Sequence, residues 1–251
     1  MERDTELVQS VLKAVLIMER LDSQGAMGTR EIAQVLGLGK SSAHRIVKTL
    51  KHAGWVVENS SNGKNELSWK LFSVGSKIAE RMSDRELFHN TMEKLAEETG
   101  ESVNLGILFR GEVLHIDKVE SKAPIKADAS LGGLASAYNT ALGKVLLAGL
   151  SEDQVVDLYG GYEFVKTARN TILSLESLIA ELRGVRDKGY ACDNEEFADG
   201  LVCYAVPVRN RRGQMSRALS VSFPKYRCEN RPEKIDHILE SLKKAGEMLT
   251  G

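Results

Sequence analysis

Three groups of residues in this 251-residue chain are of types that do chemistry. The first is the acidic run D-N-E-E, with Asp193, Glu195 and Glu196, followed by Cys203. Paired carboxylates serve acid–base reactions and a thiolate serves as nucleophile. Carboxylates one to three positions apart on one loop do not flank a substrate as glycosidase pairs must, however, and no base for Cys203 is evident in the sequence, so no catalytic residue is assigned. The second group is Ser220 and Ser222, which alternate with Leu219, Val221 and Phe223. The third is Lys40, Ser41, Ser42, His44, Arg45 and Lys48, a polar and cationic set of the kind that meets phosphates and base edges. The five histidines, His44, His52, His89, His115 and His237, lack metal-ligand spacing; neither a metal nor another cofactor is expected.

The elements that would position the third group can be read from periodicity. Leu7, Val11, Val15 and Met18, with Leu12 and Leu16 beside them, predict an amphipathic helix over Leu7 to Leu21. Thr29 is placed as the cap of a second, short helix that Gly37 ends. A third helix runs from about Lys40 to His52, with Ile46, Val47 and Leu50 inward and Gly54 as its stop. The runs WVVE and NELSW around N-S-S-N-G-K then predict a hairpin with Lys64 at its tip. Helix, helix, tight turn, helix and hairpin make a winged helix-turn-helix, in which the third helix enters a major groove. Between Gly28 and Lys70 seven Lys or Arg, Arg30 among them, face three acids, in a chain whose formal net charge is −1. The positive charge is therefore local to this motif, and double-stranded DNA is the expected partner.

The remainder reads as a connecting helix over residues 71–82, with Ser83 and Glu86 as a capping box for the next helix, and a second domain over residues 83–251. The DNA-binding domain is assigned residues 1–70. Past Gly100 the period becomes alternating: Val103, Leu105, Ile107 and Phe109 are placed on one strand face, and R-G-E turns the chain into a paired strand. Helices from about Ala141 to Leu150, from Ser151 with a Ser151/Gln154 capping box, from Ser174 to Lys188 and from Pro232 surround the strands CYAVPV and RALSVSF, giving an α+β domain with a mixed sheet.

In that last hairpin Ala218, Ser220, Ser222, Cys203, Ala205 and Pro207 share one face, and large apolar residues share the other. The missing volume must be filled either by a close-packed helix or by a small ligand held by the two serines. The helix start N-T-A-L-G-K adds first-turn amides suited to a carboxylate. It is not a phosphate-binding loop, which would need glycine at Tyr138 and a hydroxyl at Val145.

Three separated motifs, G-L-G-K-S-S-A-H-R-I-V-K-T-L, T-A-L-G-K-V-L-L-A and the late V-R-D-K-G-Y-A-C-D-N-E-E…G-L-V-C-Y-A-V-P-V-R-N…A-L-S-V-S-F-P, resemble the IclR family of bacterial transcriptional regulators over nearly the whole chain. The resemblance implies a winged helix-turn-helix, a linker helix and a GAF-like effector-binding domain, assembled as a homodimer or a dimer of dimers. It implies an effector site at Asn139, Thr140, Ala141, Leu142, Gly143, Asp193, Cys203, Ser220 and Ser222. The chain departs from the family's usual pattern at Ser136 and Tyr138, where proline and often histidine stand, and at Asn65 and Ser68, where tyrosine and glycine stand.

Composition limits the rest. Lys plus Arg total 34 against 35 Asp plus Glu, and three cysteines with no C-x-x-C spacing suit a reducing cytoplasm. The charged start MERDTE is no signal peptide, and no run is long enough for a membrane span. The expectation is a cytoplasmic regulator, more in keeping with a repressor, that binds operator DNA and senses a small organic acid. The alternatives are a metabolite sensor acting without DNA and a cysteine-dependent enzyme.

Overall fold

The computed structural model of the chain describes residues 7–80, 84–127 and 129–250, which fall into two compact units divided after Ser83. In the first unit, α1 (Gln9–Gln24), α2 (Thr29–Val35) and α3 (Lys40–His52) pack around Ile17, Leu21, Ile32, Val47 and Leu50. A short antiparallel pair, β1 (Val56–Glu58) and β2 (Asn65–Leu67), and α4 (Trp69–Glu80) follow.

The expected third helix is reproduced residue for residue. The first is not: Val11, Leu12, Val15 and Leu16 are exposed, and the core takes Ile17 and Leu21 instead, with Ala14 and Met18 partly buried. Helix α1 carries two apolar stripes at i, i+3, i+4, i+7 spacing, residues 8-11-12-15 and 14-17-18-21, and periodicity alone does not choose between them. Thr29 also differs, since it opens α2 instead of capping it. The cap residue is Gly28, whose N–H donates to Glu31 Oε2 at 2.7 Å, while the Thr29 hydroxyl accepts from Asn65 Nδ2 at 3.2 Å. The second strand ends at Leu67, so Trp69 belongs to α4.

The second unit holds α5 (Arg85–Thr99), β3 (Ser102–Phe109), β4 (Glu112–Val119), β5 (Leu134–Ser136), α6 (Ala141–Ala148), α7 (Glu152–Tyr159), α8 (Leu175–Lys188), β6 (Ala191–Asn194), β7 (Leu201–Arg209), β8 (Met215–Pro224) and α9 (Pro232–Met248). Ser83 of the expected capping box lies outside the described residues; Asp84 precedes α5, and Gly100 closes it with φ 74°. The Ser151/Gln154 box is present, with reciprocal bonds of 3.2 and 2.9 Å.

Six strands form one sheet in the order β5-β4-β3-β8-β7-β6. Every pairing in it is antiparallel, so the sheet is not mixed. The hairpins dictate this, as at Arg110 and Gly111, whose positive φ values of 53° and 83° suit a two-residue turn between β3 and β4. On the expected face of β3, Val103 and Leu105 are buried, Ile107 is half-buried and Phe109, at the strand's end, is exposed; the register shift beside Leu105/Gly106 leaves the extra residue, Ile116, on β4.

The two sheet faces have different partners. Leu105, Val206, Leu219, Val221 and Phe223 pack with Met92, Leu95, Ile238 and Leu242 of α5 and α9. The opposite face is built of small residues, and at one end Ala191, Ala205 and Ala218 receive Leu142 and Val145 of α6. All eight residues of α6 are buried. The helix lies so close to the preceding segment that a Cβ on Gly143 would sit 2.2 Å from the Ala137 backbone, a position only glycine can occupy. Among the described residues no helix is long and apolar enough to cross a membrane.

Candidate ligand pocket and nucleic-acid surface

At 100° per residue the polar and apolar residues of α3 separate into two arcs. Ala43, Val47 and Leu50 are buried and Ile46 is partly so, while Lys40, Ser41, His44, Arg45 and Lys48 are exposed on the other side; Ser42 is half-buried. The cations of the unit divide in the same way. Lys51 pairs with Glu58 at 2.5 Å, and Lys70 donates to the Ala53 carbonyl at 2.7 Å and lies over the Trp55 ring. Arg30, Lys40, Arg45 and Lys48 make no ion pair among the described residues, so α3 and the start of α2 keep their positive charge uncommitted, as do Lys13 and Arg20 of α1 and Lys77 of α4.

Lys64 is not at the hairpin tip. Asn59 and Asn62 bend the chain through side-chain bonds to the amides of Ser61 and Lys64, both 2.9 Å, which leaves Lys64 beside the strand with Nζ 3.4 Å from Glu31. The Glu31 carboxyl is held below its usual range by the Gly28 amide and then by Lys64. Asn65 is 2 % exposed and exchanges two backbone bonds with Met27, while its Nδ2 donates to the Met27 carbonyl at 2.9 Å. It fastens the hairpin to the segment before α2.

On the small-residue face of the second unit, register places Asp193 opposite Cys203, Cys203 opposite Ser222, and Ser222 opposite Ser102. The next row runs from Ala205 through Ser220 to Asn104. Where α6 does not cover this face there is a cavity of about 300 Å³. Its wall includes Asp193, Cys203, Ser220, Ser222 and the first turn of α6 at Thr140, Ala141 and Leu142. Both fillers for the missing volume are thus present, a helix at one end and a cavity at the other.

Two residues of the expected site stand apart from the cavity. Asn139 is fully buried behind the helix start, its Nδ2 donating to Thr167 Oγ1 at 3.0 Å, and Gly143 is turned to Ala137, its amide consumed by the Thr140 hydroxyl at 3.2 Å. The amides of Ala141 and Leu142 remain without partners among the described residues. Sequence reasoning missed Asn104 and His115, both of which line the cavity. Asn104 is 6 % exposed and donates to Ser222 Oγ at 3.4 Å. The Nδ1 atom of His115 is buried without a partner, and burial, then Lys118, lowers the pKa of the ring and keeps it neutral. Alternation already places Asn104 with Ser102 and Gly106, the same pattern that marks Ser220 and Ser222.

Asp193 uses Oδ1 to accept from the amides of Glu196 and Phe197 at 2.8 and 3.3 Å; Oδ2 is buried without a partner. Burial pushes its carboxyl up to about 7. Behind it, Lys144 donates to Glu181 at 2.9 Å and to Glu196 and the Cys192 carbonyl at 2.5 Å. Burial acts to neutralise this lysine, but Glu196 and Glu181 outweigh it and raise its pKa. The lysine thereby ties α6 to both flanks of Asp193. Burial, then Asp193, pushes the Cys203 thiol up, away from thiolate reactivity. Among the described residues no three His, Cys, Asp or Glu side chains come together to hold a metal ion.

The family model for the bacterial transcriptional regulator IclR C-terminal domain matches residues 76–250, and that for the IclR helix-turn-helix domain matches residues 10–60. The chain belongs to the IclR family. Like other members, it is a ligand-responsive, DNA-binding transcriptional regulator. It is 34 % identical over 227 residues to the HTH-type transcriptional regulator KdgR of Escherichia coli, a match that covers 90 % of this chain and 86 % of KdgR. It is 30 % identical over 223 residues to the transcriptional repressor IclR of the same organism, covering 88 % and 81 %. An IclR homolog from Microbacterium hydrocarbonoxydans, solved in complex with 4-hydroxybenzoate, superposes with a TM-score of 0.80 over 96 % of this chain and 98 % of its own, at 20 % identity. That likeness is one of fold.

Proposed function

We propose that this IclR-family protein is a homodimeric or dimer-of-dimers repressor whose operator binding is tuned by a small organic acid. In this reading residues 1–70 bind DNA, 71–82 link, and 83–251 take the effector. The observation that carries the acid-sensing part is the meeting of α6 amides with Ser220, Ser222, Cys203 and Asp193 around one small cavity. Hydroxyl and amide donors at a helix start stabilise a carboxylate without a basic side chain. The repressor reading draws support from the name of the E. coli relative, and the acid from the ligand of the Microbacterium homolog. We assign Cys203 no catalytic step, because its thiol is held protonated. A protein that works on operator DNA does so in the cytoplasm.

On the DNA side, Arg30, Lys40, Ser41, Ser42, His44, Arg45 and Lys48 make the binding surface, with Lys64 available once it leaves Glu31. Mobility shifts test this directly. Lys48→Ala weakens binding to all DNA and lowers its salt dependence, whereas Arg45→Ala also relaxes sequence preference, at a cost of about 1–3 kcal/mol for each base no longer read. Unaltered binding by both variants refutes the surface. A carboxylate that raises the wild-type melting temperature leaves that of Ser220→Ala/Ser222→Ala unmoved; equal shifts refute the pocket assignment.

A further inference from the structure

The cavity presents a carboxyl group and, among the described residues that line it, no lysine or arginine. Asp193 is 0 % exposed, faces the cavity and keeps Oδ2 unpartnered, so it offers the cavity either a bare carboxylate oxygen or a hydroxyl. An acid ligand entering this space meets a second carboxyl with no cation between them. Two carboxylates sharing one buried site do not both ionise; they hold one proton between them.

We infer that the pocket takes its acid ligand together with one proton, held on Oδ2 of Asp193 and donated as a hydrogen bond to the ligand's carboxylate. This rests on the acid-binding reading above. The proton comes from solvent, no covalent bond other than the Asp193 O–H is formed, and the ligand keeps its negative charge. The groups around Asp193 are consistent with this. Glu196, in the segment that follows β6, carries like charge. Lys144 of α6 is the nearby cation and is committed to Glu196 and to Glu181 of α8. Cys203 of β7 is a neutral thiol and His115 of β4 a neutral ring. Burial, reinforced by Glu196 and opposed by the two amides and Lys144, puts the carboxyl's midpoint at about 7 in the protein by itself. Above that pH the proton must be taken up on binding, and the ligand's Kd rises about tenfold per pH unit.

Calorimetric and thermal-shift titrations of the full chain between about pH 6 and about pH 9 test this, with acetate, lactate and 4-hydroxybenzoate as probes and their primary amides as neutral counterparts. The expected result is a carboxylate whose Kd rises with the tenfold slope above about pH 7. At about pH 8, buffers of different ionisation enthalpy report close to one proton taken up per ligand. Asp193→Asn, which carries a permanent amide donor, gives a flat profile, and His115→Gln keeps the slope. A carboxylate that binds with no slope in the wild type, or with the same slope in Asp193→Asn, overturns the proton linkage and leaves the acid reading standing. Amides that bind where carboxylates do not, or no response to any probe, overturn both.

Discussion

Asp193 has its two carboxyl oxygens in different service, one capping the turn that carries Phe197 and the other left to the cavity. The folded chain itself feels this. With the folded-state midpoint near 7 and an ordinary value of 3.8, the folded chain binds more protons than the unfolded chain between about pH 4 and pH 7. Stability contributed at this site therefore falls as pH rises through that window and levels off above it. The Tm of Asp193→Asn should gain on the wild type from about pH 5 to about pH 7.5 and then run parallel to it; a difference independent of pH contradicts the burial of an ionisable carboxyl. At this scale the sequence is informative wherever alternation applies. Ser220, Ser222 and Cys203 are legible that way, and Asn104 lies in the same pattern. Asn139 and Gly143 fall outside the cavity because a helix start shows which amides are free only once its cap and backing are known. His115 gives no signal in the sequence because its orphan Nδ1 is created by burial, which spacing does not record.

Among the elements, α3 is readable because its apolar arc and its glycine stops agree. The three-residue β5 and four-residue β6 are too short for any period to show, although β6 carries Asp193. Helix α6, whose start the sequence marks as suited to a carboxylate, gives the cavity its first turn, and its position depends on Gly143. Gly143→Ala forces a Cβ into the Ala137 backbone, which cannot yield as a flexible side chain would. The variant should lose several degrees of Tm and, because the first turn of α6 shifts, ligand response should fall further than stability; wild-type melting and ligand response argue that α6 is not fixed by this close approach. Lys144 makes the related point for charge. A lysine inside an apolar helix looks misplaced until Glu181 and Glu196 are seen around it.

At the scale of the whole molecule, the first unit leaves large apolar side chains exposed on two of its helices. Val8, Val11, Leu12 and Val15 of α1 and Trp69, Phe72, Val74 and Ile78 of α4 are all well exposed. In the dimeric reading proposed above the DNA-binding heads are paired, and a second copy of the chain would cover such stripes. Val11→Asp/Val15→Asp should shift the sedimentation of the protein toward monomer and weaken operator binding while leaving the melting of the second unit intact; an unchanged oligomer removes α1 from the interface. Periodicity assigns this stripe to the core, the error invited by a helix with two apolar sides, and two sides are what an assembling helix needs. The second unit has its own division of labour. On β3, β7 and β8 the residues facing the cavity alternate with those that hold α5 and α9. Positions 104, 203, 220 and 222 can therefore change without disturbing the larger core, so descendants of one sheet can acquire new signals by a few substitutions and inherit the fold unaltered.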